Sequence, residues 1–313
     1  MGSSNENEDK PDISEKIQHV RKIRNKHLRM IEFKKQLKLK KKIKKEERKK
    51  RRQQGIPKGV PKTLETLREP DQTVIKCEED KEELQIDVTN SEFGSYFAKS
   101  YEPKVLITYS NNPSKKTWSF GRELCRIIPN AFGKLRKHIP IKKVIESCKR
   151  EEFTDIVVVN ENMKMPNGLL VIHLPDGPTA NFRLSNVKIT PELKRDYKEI
   201  STFRPEVILN NFTTRLGNTV ASMLAALFHY DPQFKGRRAV TFHNQRDYIF
   251  FRHHRYEFKA NGTKVGLREL GPRFTLKLRS LQHGTFDSKT GEYEWIISGR
   301  RHEMETSRRR FFL

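Results

Sequence analysis

Beyond about Tyr101 the apolar residues stop being scattered and fall into short runs and helical stripes. KVLITYS (Lys104–Ser110) reads as a buried strand closed by the polar turn NNPS. Phe120, Leu124, Ile127 and Ile128 then recur at i, i+4, i+7 and i+8, the spacing of one helix face. Ile141, Val144, Ile145 and Cys148 repeat that spacing, and TDIVVVN (Thr154–Asn160) is a second apolar strand. GLLVIHL and ANFRLSNV flank Pro175-Asp176-Gly177-Pro178, which predicts a hairpin. The order so far is β-α-(β)-α-β-β-β. A similar order follows. EVILNNF (Glu206–Phe212) is a strand, and Leu216, Val220, Met223, Leu224 and Leu227 form a helix face. AVTFH, DYIFFRHHRYEF and two strands around Asn261-Gly262, a strong hairpin dipeptide, complete the series. The pattern recurs with little residue identity, so the expected fold class is mixed α/β in two pseudo-repeated lobes.

Upstream the pattern is different. Residues 1–15 are polar, and from Lys16 to Gln54 there is neither Pro nor Gly, so helix is locally favoured. Ile17, Val20, Ile23, Leu28, Ile31, Leu37 and Ile43 give only a thin stripe, and crowded like charges weaken the isolated helix. An arm that orders fully on an anionic partner is expected. GIPKGVPK (Gly55–Lys62) breaks it, and the acidic stretch Cys77–Glu92 reads as a linker. The chain thus divides into a basic, partly helical arm (1–60), an acidic linker (61–100), a first lobe (101–200), a second lobe (201–285) and a basic tail (286–313).

Charge narrows the choice of partner. The net charge is +25 and the pI about 10.0, which calls for a polyanion. Lys16–Arg52 alone holds 19 Lys/Arg against 3 acids. The 3 cysteines form no CxxC and suit a reducing compartment. A polar N-terminus, and no apolar run near the roughly 18 residues of a membrane span, lead to the expectation of a soluble intracellular protein.

Between Arg237 and Arg279 the β-patterned sequence carries 11 Lys/Arg and 7 Phe/Tyr against 3 acids. Cations on a regular scaffold neutralise phosphates, and aromatic faces stack on bases. The candidate RNA contacts are therefore Arg237, Arg238, Arg246, Arg252, Arg255, Arg273, Lys277 and Arg279. The arm adds Lys41, Lys42, Lys44, Lys45, Arg48, Lys49, Lys50, Arg51 and Arg52, which also suit nuclear import. FTLKLR alternates, setting Phe274, Leu276 and Leu278 against Lys277 and Arg279. Arg252, Arg255 and Arg273 are expected to extend that basic face. Some of these arginines could instead brace the sheet through Asp247, Glu257 or Glu269. In DYIFFRHHRYEF the ring-rich set, Tyr248, Phe250 and Phe258, is expected in the core, with Phe251 undecided. His243, His253 and His254 match no zinc spacing, so no metal is expected. Asp247 and Glu257 read as charge partners of Arg246 and Arg255. No GxxxxGK[ST] and no nucleophile elbow is present, so neither an enzyme nor a cofactor is expected. A protein-binding scaffold, or less readily an RNA-modifying enzyme, is the alternative.

At these residues the chain resembles the Brix-domain family of ribosome assembly factors. The resemblance spans about Tyr101 to His283 and rests on PKVLITYS, GPTANFRLSNV, GRRAVTFHNQRDYIFFRHHRYEF and ELGPRFTLKL. The ending GEYEWIISGRRHEMETSRRRFFL, with the Lys-rich arm, is most similar to the ribosome production factor 1 branch. The resemblance implies two α/β halves, each like the anticodon-binding domain of some aminoacyl-tRNA synthetases. It implies binding to pre-rRNA of large (60S) subunit precursors in the nucleolus. It also implies a dedicated non-Brix partner of the maintenance-of-killer family.

Overall fold

The computed structural model describes residues 19–20, 22–55, 60–69, 73–75, 83, 86–193, 201–259, 262–297 and 310–313. Residues 1–15, half of the acidic Cys77–Glu92 stretch, Asn261 of the Asn-Gly turn, and 298–309 lie outside them. Two units are formed, residues 1–66 and 67–313.

In the first unit the Pro- and Gly-free stretch forms the helix α1 (Lys26–Gln53). Asn25 caps it, its side-chain oxygen accepting from the N–H groups of His27 and Leu28 at 2.9 and 3.2 Å. Lys50, Arg51 and Arg52 fill the last turn, where cations complement the helix dipole. No residue of α1 is buried, and Leu28, Ile31 and Leu37 of its thin stripe are exposed.

The second unit is built on one 11-stranded mixed sheet. Its first half comprises β1 (Val105–Tyr109), α3 (Lys115–Ile127), β2 (Ala131–Gly133), α4 (Ile141–Arg150), β3 (Asp155–Asn162), β4 (Met165–His173) and β5 (Thr179–Lys188). These are the elements that the apolar pattern predicts. A short turn of helix, α2 (Gly94–Phe97), precedes them. The second half comprises β6 (Glu206–Asn210), α5 (Arg215–Ala226), β7 (Arg238–Gln245), β8 (Tyr248–Lys259), β9 (Lys264–Glu269), β10 (Arg273–Gln282) and β11 (Tyr293–Ile296).

Strand order explains the recurrence seen in the sequence. The sheet runs β2-β1-β3-β4-β5-β10-β8-β7-β6, with β9 on β8 and β11 on β10. β1 pairs parallel with β3, and β3, β4 and β5 continue antiparallel. β6 pairs parallel with β7, and β7, β8 and β10 continue antiparallel. The two halves thus repeat one topology and meet where the equivalent strands β5 and β10 pair antiparallel. The first half adds β2 and α4, where the second has a single 3-10 turn at Phe234–Gly236.

Helices α3 and α5 cover the same face of the sheet. Phe120, Leu124 and Ile127 of α3 join Val220, Met223 and Leu224 of α5 in one buried cluster. Strand residues from both halves, including Phe182, Leu184, Phe251, Phe274, Leu276 and Leu278, complete it. The opposite face is covered in the first half by α4, whose Ile145 and Cys148 pack on Leu106, Ile156, Val158, Leu170 and Ile172.

Two flanking segments are more structured than their composition suggests. In the segment read as an acidic linker, Phe93 and Tyr96 enter the main core, at 1% and 4% exposure. The Tyr96 hydroxyl reaches the carbonyls of Ala225 and Phe228, each at 3.0 Å. In the segment read as a tail, β11 pairs with β10 and Leu313 is buried. Asp247 Oδ1 accepts from the backbone N–H groups of Phe312 and Leu313 at 2.7 and 3.0 Å. Charge hid these anchors: a few aromatic residues inside polar sequence suffice to dock it.

Candidate nucleic-acid interface

Period-two alternation sorts the side chains of the second half. On β10, Phe274, Leu276 and Leu278 are buried among the helices, and Arg273 and Lys277 on the other side are half-exposed. On β8, Ile249, Phe251 and His253 are buried, while Tyr248 is exposed and Phe250 and Arg252 are half-exposed. Cross-strand register assembles these outward residues into rows. Lys277 lies opposite both Arg183 of β5 and Tyr248 of β8, and Tyr248 lies opposite Gln245 of β7. Lys277 Nζ sits over the Tyr248 ring, 4.8 Å from its centroid. Arg273 lies opposite Lys188, and Arg252 opposite Thr241. The guanidinium of Arg252 stands 6.0 Å from the centroid of Phe250. The result is a band of cations and rings on the side of the sheet away from α3 and α5.

One carboxylate moderates the band. Glu269, at 5% exposure, accepts a two-pronged contact from Arg273, with Arg273 Nε 2.8 Å from Oε1 and Nη2 on Oε2. Arg252 Nε lies 3.9 Å from Glu269 Oε1. Burial alone would raise the pKa of Glu269. The bonds from Arg273 and the charges of Arg273 and Arg252 outweigh it and hold the carboxyl below its ordinary value. The same charge fixes the two arginines in place and cancels one of their two positive charges. This is the bracing role that Glu269 could take.

Other expected contacts lie elsewhere. Arg238 is buried at 3% exposure and cannot present its charge to RNA. Its Nη1 donates to the carbonyls of Ser201 and Phe203, both at 2.6 Å, and its Nε donates to His253 Nε2 at 3.2 Å. Burial lowers the Arg238 pKa to about 10. His253 is its neutral counterpart: Nδ1–H donates to the Gly271 carbonyl at 2.8 Å, leaving Nε2 to accept from Arg238. Burial, reinforced by the Arg238 charge, pushes the His253 pKa down to about 3. Arg255 alternates with Arg252 and so belongs to the opposite face, paired in the ladder with Arg238 and Arg268. Its Nε is buried without a hydrogen-bond partner, and it forms no ion pair with Glu257 among the described residues. Arg237 is exposed beside the Phe234–Gly236 turn. Arg246 is exposed in the two-residue β7–β8 turn, where Arg246 and Asp247 both have positive φ (56° and 63°). Arg279 is half-exposed further along β10 beside β11. On α1, Lys41, Lys42, Lys44, Lys45, Arg48, Lys49, Lys50, Arg51 and Arg52 are all exposed.

The aromatic expectation inverts. Phe251 is core, stacked on Phe274 with centroids 4.2 Å apart, whereas Tyr248 and Phe258 are exposed at 41% and 59%. Alternation divides a strand into two faces but does not say which one the helices cover; here Ile249, Phe251 and His253 lie across from buried Asn244, Phe242 and Val240 of β7, and Phe251 also faces buried Phe274 of β10. Arg183 and Lys188 were missed, although the polar positions of ANFRLSNVK alternate with Phe182, Leu184 and Val187. Among the described residues, no group of three His, Cys, Asp or Glu side chains is placed to hold a metal.

The Brix domain family profile matches residues 110–280. The chain is 61% identical to the probable ribosome production factor 1 of Drosophila melanogaster, over 93% of this chain and 74% of that one. The chain belongs to the Brix-domain family of ribosome biogenesis factors. It is 53% identical to ribosome production factor 1 of Xenopus laevis, over 80% of this chain and 72% of that one. With a Brix domain-containing protein of Schizosaccharomyces pombe it shares 41% identity, over 80% of this chain and 83% of that one. The Brix match runs from just after β1 into β10 and so takes in strands of both halves of the sheet, the seam between them, and the band of Arg183, Lys277 and Arg252.

Proposed function

We propose that this Brix-domain protein is a non-enzymatic assembly factor that binds pre-rRNA in large-subunit precursors and supports its folding and processing. The observation that carries this reading is the band on the open side of β5, β10 and β8. There Arg183, Lys188, Lys277 and Arg252 stand on hydrogen-bonded strands beside Tyr248 and Phe250. Strand pairing fixes the spacing of these cations, so this band sets register while the exposed cations of α1 add affinity of low sequence preference. The setting is the nucleolus, where the α1 cations also serve import. The protein partner is a maintenance-of-killer family factor. A contact with such a partner is favoured by the β8–β9 hairpin, whose Phe258, Val265 and Leu267 are exposed at 59%, 54% and 64% on one side. The relatives named as ribosome production factors support the particle, and the band supports RNA as the ligand within it. Crosslinking the protein to RNA in cells and sequencing the bound fragments tests this. Fragments concentrated in large-subunit pre-rRNA are expected; none above background would overturn the reading.

A further inference from the structure

The first half carries a second feature, away from the band. α3 connects β1 to β2 across one face of the sheet, and α4 connects β2 to β3 across the other. Where successive connections of parallel strands leave for opposite faces, a crevice opens at the carboxyl ends of those strands. Here β1 and β2 run parallel, and the chain leaves β2 at Lys134, whose backbone N–H still donates to the Ile107 carbonyl at 2.9 Å. A cavity of about 520 Å³, within the roughly 300–1,000 Å³ range of small-ligand sites, runs from this place along the α4 side of β1 and β2 to Arg150, Glu151 and Phe153, just before β3. Leu106, Thr108 and Cys148 form its buried floor, and Phe132 stands at its wall, 48% exposed. The Phe132 ring is propped edge-on by Phe153, with centroids 5.9 Å apart at 88°. Lys134, Arg136, Lys143 and Arg150 also line the cavity, against the single acid Glu151. Lys134 and Lys143 form no ion pair among the described residues, and Arg136 Nε is buried without a hydrogen-bond partner.

An apolar floor, one braced aromatic face and four cations are complementary to a planar, apolar-faced group that carries phosphate on both sides. We propose that this cleft takes an unstacked base of single-stranded RNA. Phe132 stacks on the base, and Lys134, Arg136, Lys143 and Arg150 hold the flanking phosphates. A duplex keeps its bases stacked and cannot enter. The inference rests on the RNA-binding reading above and adds to it a second site with a different preference: single strands here, phosphate backbone at the β5–β10–β8 band.

The test uses the full chain with two probes, a fluorescent oligouridylate of about ten nucleotides and a blunt RNA duplex. Phe132 is exposed and Arg136 half-exposed, and a melting curve for the Phe132→Ala and Arg136→Gln variants checks the fold. Loss of one stacked base weakens binding by about fivefold to a hundredfold, so F132A is expected to lose that much affinity for the oligouridylate and little for the duplex. With 4-thiouridine in the probe, wild-type protein is expected to crosslink within the segment from Phe132 to Arg150, a readout that needs no variant. Unchanged oligouridylate affinity in both folded variants, or crosslinks confined to β8 and β10, would overturn the cleft and leave the band standing. Wild-type protein that binds neither probe would instead overturn RNA binding as a whole.

Discussion

Replacing Arg238 by methionine separates a fastening role from a contact with RNA. Methionine replaces the stem of the side chain only, and the Ser201 and Phe203 carbonyls and His253 Nε2 lose their donor. Three hydrogen bonds from a charged group at roughly 1.5–3 kcal/mol each give a gross loss of about 4–9 kcal/mol. Part of that is returned. Arg238 forms no ion pair among the described residues, and burying a cation without a counter-ion costs several kcal/mol. The net destabilisation is therefore about 2–4 kcal/mol. For a unit of this size each kcal/mol lowers Tm by about 2–4 °C, so the melt is expected to fall by about 5–15 °C. Differential scanning calorimetry of the full chain reads this directly. RNA affinity, measured well below the melt, is expected to stay unchanged. An unchanged Tm with lost RNA affinity would show that Arg238 reaches RNA after all and that its bonds to Ser201 and Phe203 contribute little.

Three further outcomes follow from the same contacts. His253 is neutral in the fold and its pKa lies far below the ordinary 6.5, so the unfolded chain binds the extra proton as pH falls. Its contribution is fully present above pH 6.5 and is lost towards pH 3 at up to about 1.4 kcal/mol per pH unit; a His253→Asn variant with an undiminished acid slope in urea melts would contradict this. Removing the Tyr96 hydroxyl in Tyr96→Phe leaves the carbonyls of Ala225 and Phe228 without it and is expected to cost about 1–2 kcal/mol; unchanged denaturant midpoints would show that these two hydrogen bonds do not fasten the segment. Deleting Lys26–Gln53 removes no buried side chain of its own, so the melt of residues 67–313 is expected to hold while the salt dependence of RNA binding flattens. An identical slope would exclude α1 as a phosphate contact.

Much of the fold could be read from periodicity because strands and helices differ in the spacing of their apolar residues. KVLITYS, TDIVVVN and the Phe120–Leu124–Ile127 stripe each became the element their spacing predicts. Periodicity does not report what covers a face, which is why Tyr248, Phe250 and Phe258, expected in the core, are exposed or half-exposed, while Phe251, left undecided, is buried. Nor does it report depth: Arg238 and Arg237 are neighbours of the same type, yet one is fastened under the 201–203 segment and the other is exposed. Arg183 was legible from alternation alone but stood in a segment with only one other cation, so charge density drew attention away from it. The pairing of β5 with β10 joins residues about ninety positions apart, a contact that no local pattern encodes. The band exists only through that seam.

The claim that this band meets RNA is tested most directly by changing Arg183, Lys188 and Lys277 to glutamine together. None of the three forms an ion pair among the described residues, and they stand on β5 and β10 at the seam, so the fold has little to lose. Binding of the full chain to a single-stranded pre-rRNA fragment is then followed against salt concentration. Each phosphate contact contributes about 0.7 to the slope of log affinity against log salt, so a loss of about 2 is expected, with an unchanged melt. A triple variant that melts like the wild type and binds with the same affinity and the same slope would contradict the account.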